Sequence, residues 1–116
     1  MSHLSENEIV RIAKSLESSE QIVILRTKFP SSLTGDVFSQ ICVFTASFVY
    51  DKVEELPKLL GDPALAEEIN SADFVEYFMM LDSLFDLDYS EEQIAQVRFF
   101  SDVIAYVGSA LQERDR

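Results

Sequence analysis

A chain of 116 residues, 47% hydrophobic and 26% charged, has the composition of one folded domain, which excludes a disordered tail and a membrane protein. A domain of this length removes about two-thirds of its unfolded surface from water, so it needs no metal or disulfide to fold, and the single cysteine, Cys42, has no partner within the chain. Nine basic against 21 acidic residues give a net charge of −12, which argues against nucleic acid or an anionic membrane as partner and favours a basic protein surface. The opening Met-Ser-His-Leu-Ser-Glu shows no basic segment followed by an apolar one, and the most apolar run, Ile41 to Tyr50, is too short to span a bilayer. With a lone cysteine, this predicts a cytoplasmic protein.

The first helix is predicted over about 6–18. Ser5 with Glu8 three residues on forms a capping box, Leu4 and Ile9 have the spacing of a hydrophobic staple, and Ile9, Ile12, Ala13 and Leu16 make one apolar stripe. Ile22 to Leu25 fits helix or strand equally and ends at Phe29-Pro30. Asp36 then reads as the cap of a helix over about 37–55, with Val37, Ile41, Phe44 and Phe48 on its apolar face, widened by Phe38, Cys42 and Val49. Pro57 closes it. A strand is the weaker alternative, given the β-branched content.

From Pro57 to Asn70 the prediction is loop, with one possible helical turn capped by Asp62 and opened by Pro63. A helix over about 72–85 follows, with Phe74, Tyr77, Phe78, Leu81 and Phe85 inward and Asp73, Glu76 and Met79 outward. Ser90 to Gln93 is a second capping box, opening a short helix. The last helix runs over about 101–111 and buries Val103, Ile104 and Val107. The predicted class is an all-α bundle.

The acid is concentrated. Residues 1–36 hold four basic and five acidic side chains, whereas residues 37–116 hold five and sixteen, with no basic residue between Lys58 and Arg98. Like charge on one surface raises the self-energy of the fold, which points to a cationic partner rather than to solubility alone.

Chemistry of the usual kinds is missing from the sequence. His3 is the only histidine, so no histidine-based acid–base or triad arrangement can be built. Cys42 lies on an apolar helix face and reads as a core residue. An EF-hand loop over Asp86, Asp88 and Ser90 would place Glu91 at its glycine and Val97 at its bidentate glutamate, so the pattern fails and no metal site is expected. Gly35, Gly61 and Gly108 are isolated and form no phosphate loop. The chain is therefore not expected to be an enzyme.

Asn70-Ser71-Ala72-Asp73-Phe74-Val75-Glu76, then Met79-Met80-Leu81, Phe85-Asp86, Ser90-Glu91-Glu92 and Phe100 to Val107, resemble the second half of an acyl carrier protein. The resemblance is firm over the second half of residues 37–112 and loose over the first. It implies an acyl-carrier-like helical bundle over 37–116 with residues 1–36 as an extra N-terminal helical segment. It also implies that Ser71 carries a phosphopantetheine arm holding acyl groups as thioesters. Asp73, Glu76 and Met79 would then meet basic-surfaced enzymes: a phosphopantetheinyl transferase, and a ketosynthase or acyl-activating enzyme. Phe74, Tyr77, Phe78, Leu81 and Phe85 would line the core into which an acyl chain folds. Asn70 and Ala72 stand where that family usually has aspartate and leucine. Two other readings stand beside this one. Ser71 can be a plain helix cap, and the protein can be an unmodified acidic helical binding protein of the immunity or inhibitor type, docking on a basic partner.

Overall fold

The computed structural model describes residues 4–88 and 90–114, and all regular structure among them is helical. His3 lies outside the described residues. The first helix, α1 (Glu6–Leu16), starts where its cap predicts. The Ser5 hydroxyl accepts from the Glu8 amide at 3.2 Å, and the Ser5 amide donates to Glu8 Oε1 at 3.1 Å. Hydrogen bonding to the carboxyl from the Ser5 amide first, and from the Ser5 side chain second, holds Glu8 below the usual range.

The ambiguous run after it is helix, α2 (Glu20–Lys28). Ser19 caps it by accepting from the Ile22 amide at 3.3 Å, and it stops at Phe29, before Pro30. Only Ile22 and Leu25 of the apolar run are buried; Val23 and Ile24 remain exposed.

Helix α3 (Gly35–Tyr50) is the axis of the molecule, with every residue from Ile41 to Phe48 buried. Thr34, not Asp36, is its cap residue, and its side chain donates instead to Asp36. The helix also ends five residues short of the predicted 55. Asp51 turns left-handed at φ 62°, and a 3-10 helix (Val53–Gly61) follows with Pro57 inside it. An α-helix continued through Pro57 would bring its ring against the carbonyl of residue 53. The turn instead puts Leu56 and Leu59 into the core at 1% and 0% exposure.

A short helix, α4 (Leu65–Glu68), leads into the long helix α5 (Ser71–Phe85), and a second short helix, α6 (Glu91–Ile94), connects α5 to the long helix α7 (Phe100–Arg114). Asp62 does not cap α4, whose cap position is Ala64. Its carboxylate crosses to the start of α7, accepting from the Ser101 amide and hydroxyl, each at 2.8 Å. Asp102 accepts from the amides of Arg98 and Phe99, both at 3.0 Å, so two acids serve the head of α7. Ser90 makes one arm of its expected box, accepting from the Gln93 amide at 3.4 Å.

One apolar cluster runs through the molecule. Ile9 and Ala13 of α1, Ile22 and Leu25 of α2, and Phe29 and Leu33 after it join α3, the 3-10 helix, α5 and α7 in a common core. The Ser39 hydroxyl donates to the Ala13 carbonyl at 2.7 Å, tying α3 to α1. Cys42 sits in this core at 0% exposure, and burial pushes its thiol far up, so it behaves as a small apolar side chain. No helix among the described residues is long and apolar enough to cross a membrane.

Candidate functional site: the acid-faced helix α5

Asn70 holds the cap position of α5. Its Oδ1 accepts from the Asp73 amide at 2.8 Å, and its Nδ2 donates to Asp73 Oδ2 at 3.1 Å. Ser71 is thereby released from capping. It is the first residue of a fifteen-residue helix and is exposed. As the first residue it lies at the positive end of the helix dipole, a location that favours an anionic group such as a phosphodiester.

Of the predicted partner-facing residues, Glu76 is exposed and Met79 is 59% exposed, whereas Asp73 is half-buried and held by Asn70. The predicted inward set divides as well. Tyr77, Phe78 and Leu81 are fully buried and Phe85 is 8% exposed, while Phe74 is only half-buried. Phe74 packs edge-on to Phe78 at 5.1 Å between ring centroids, so it covers the aromatic core instead of entering it.

That core is tightly interlocked. The Tyr77 ring stacks on Phe44 at 5.0 Å and meets Phe48 and Phe78 edge-on at 5.4 and 5.2 Å. Tyr77 and Thr45 share a buried hydroxyl–hydroxyl bond of 2.8 Å.

Asp82, one of the acids in the stretch between Lys58 and Arg98 that holds no basic residue, does not lie on the surface. It lies one turn after Phe78 on the inward side of α5 and is 5% exposed. The Tyr106 hydroxyl donates to its Oδ1 at 2.9 Å, while its Oδ2 has no hydrogen-bond partner among the described residues. The helical period was the available signal, because i+4 from Phe78 falls on the buried stripe. Burial pushes the Asp82 carboxyl up, the Tyr106 bond draws it part of the way back, and the charge on Asp88 pushes it up further.

The folded chain therefore holds this proton to higher pH than the unfolded chain does, and stability falls as pH rises through the interval between their two pKa values. Asp82→Asn is expected to raise stability at neutral pH by about 1 kcal/mol and to gain nothing below the ordinary carboxylate range. Chemical denaturation of both proteins at neutral and acidic pH checks this; an equal difference at both values would contradict it.

Among the described residues, Arg114 donates to the Phe85 carbonyl at the end of α5 at 2.6 Å, and a second cation lies near the acids before α5. Arg98 reaches Glu67 at 3.6 Å, with both side chains largely exposed, so the pair adds little to stability. No group of three or more histidine, cysteine or acidic side chains converges to hold a metal ion among the described residues.

A cleft of about 250 Å³ lies between α1 and α5, with Phe44 of α3 at its base. No local pattern in the sequence marks it, because it exists only where two segments far apart in the chain lie side by side. Comparison with protein-family models, curated proteins and solved structures gives no match for the chain.

Proposed function

We propose that this is an acyl-carrier-like protein bearing a phosphopantetheine arm on Ser71. The supporting observation is the exposed Ser71 hydroxyl at the head of α5, freed from capping by Asn70. From α3 onward, once the 3-10 helix and the four-residue α4 between α3 and α5 are set aside, the order of a long helix, a long helix with the serine at its head, a short one and a long one also supports this reading. The bound arm would supply a thiol for thioester formation. The chain's own part is attachment through Ser71, first-turn amides beside the phosphate, and an acidic face carrying Glu76 that speeds encounter with basic enzymes such as a transferase, ketosynthase or acyl-activating enzyme.

Intact-mass spectrometry after incubation with coenzyme A and a promiscuous phosphopantetheinyl transferase tests this. One prosthetic-group mass is expected on the natural chain and none on Ser71→Ala. No addition to the natural chain overturns the proposal.

A second reading is an unmodified acidic binding protein that docks on a basic partner surface. It is favoured by the cleft between α1 and α5, which pairs apolar walls with an acidic rim.

A further inference from the structure

Helices α1 and α5 stand on either side of α3 and leave a trough between them. Ile9 and Phe44, both almost wholly buried, form its floor. Met79, Met80 and Leu84 of α5 form one wall: Met79 is 59% exposed and the other two are half-buried. Methionine suits a surface that must fit different apolar shapes, because its side chain is unbranched and polarizable.

The trough extends beyond its own lining. Val75, one turn before Met79 on α5, is 42% exposed, and Val10, one turn after Glu6 on α1, is 43% exposed. Isolated exposed apolar residues are ordinary, but here they continue the lines of a cleft that is already apolar.

Charge selects what can occupy it. Glu6 of α1 and Glu76 of α5 stand on the rim, α5 contains no lysine or arginine, and none occurs between Lys58 and Arg98. The Ser83 hydroxyl donates to Glu6 Oε1 at 2.6 Å, so the two helices are joined across the trough by a bond between residues 77 apart in the chain. That bond holds the Glu6 carboxylate at the edge of the cleft. A second copy of this chain would bring another net charge of −12 to the contact, which opposes self-association.

We propose that the α1–α5 cleft docks an amphipathic helical segment of a partner protein, one that inserts large apolar side chains between Met79 and Phe44 and sets lysine or arginine against Glu6 and Glu76. This rests on the reading of the chain as an acidic binding protein and is independent of any modification at Ser71. Its apolar anchors supply affinity through burial, and the acidic rim supplies orientation and speed of encounter.

The test uses the full chain and a fluorescent synthetic helix of about 18 residues with leucine on one face and lysine on the other. Two control peptides replace the lysines with glutamate or the leucines with serine. Anisotropy titrations are expected to show binding of the leucine–lysine peptide only. Met79→Asp should weaken it about tenfold or more, and the pair Glu6→Gln with Glu76→Gln several-fold, whereas Glu91→Gln with Glu92→Gln on α6 changes it less than about twofold. All four substituted side chains at the rim and on α6, and Met79, are exposed, so the fold is preserved.

Binding of the serine–lysine peptide with equal affinity, or indifference to Met79→Asp, overturns the cleft while leaving a basic partner elsewhere on the surface. Failure of every cationic peptide to bind overturns both the cleft and the reading beneath it. Concentration-dependent dimerisation in sedimentation, abolished by Met79→Asp, would assign the trough to a second copy and also overturn the proposal. Repeating the titrations on Ser71→Ala keeps the result separate from the carrier reading.

Discussion

Deleting residues 1–34 is expected to abolish cooperative unfolding of the remaining chain. The deletion removes Ile9, Ala13, Ile22, Leu25, Phe29 and Leu33 from the common core and strips α1 and α2 from the sides of α3. Phe38, Ile41 and Cys42, all at 0% exposure, belong to a helix buried around most of its circumference. Burial of an aliphatic or aromatic side chain contributes about 1.5–3 kcal/mol, so the loss is on the order of 10 kcal/mol. That is comparable to the whole stability of a typical domain. Circular dichroism and calorimetry of residues 35–116 decide the matter. A sharp thermal transition in the fragment would show that the bundle over 37–116 folds without the N-terminal helices.

Substitution at Tyr77 is the second large effect. Tyr77→Ala should destabilise the protein by about 3–5 kcal/mol, because the ring sits among Phe44, Phe48 and Phe78 with no exposed surface. Tyr77→Phe separates packing from hydrogen bonding. It keeps the ring but leaves the Thr45 hydroxyl without its 2.8 Å partner at a fully buried site, costing about 1–2 kcal/mol. Thr45→Val strands the tyrosine hydroxyl at a similar cost. The double substitution replaces both polar partners with apolar groups of similar shape and should cost less than the two singles together. Denaturant titration of the four proteins measures the coupling; strict additivity would show that the hydroxyls do not stabilise one another.

Local signals in the sequence located most of the helices. The Ser5–Glu8 box, the Pro30 stop and the spacing Phe74, Phe78, Leu81, Phe85 each act over a few residues, and each marks an element close to its observed position. The errors lie where distant segments decide. Helix α3 stops at Tyr50 because turning there lets Leu56 and Leu59 reach the core, a gain that the run 37–55 does not display by itself. Asp62 followed by Pro63 has the pattern of a helix cap, yet its carboxylate serves Ser101, 39 residues away. The break in charge at residue 36 is clear in the sequence, but the packing runs across it.

The candidate site was legible to a similar extent. The place of Ser71 at the head of a helix could be read from its surroundings, while the identity of the capping residue could not, since asparagine and serine compete for that position. Asp82 could have been placed inward by its register with Phe78. Its unpartnered oxygen depends on where Tyr106 lands, and the α1–α5 cleft depends on α1 lying next to α5.

Among the described residues, the three that turn left-handed, Asp51, Asp62 and Asp86, are all aspartates, at positions where helices commonly end on glycine. Asp62 has a second task in holding the head of α7, but Asp51 and Asp86 place a negative charge at the negative end of α3 and α5 in a backbone shape that a side chain disfavours. Part of the acidity thus works against the architecture that carries it. The molecule keeps thermal robustness in reserve, recoverable at two chain reversals without touching either its interior or its acidic rim.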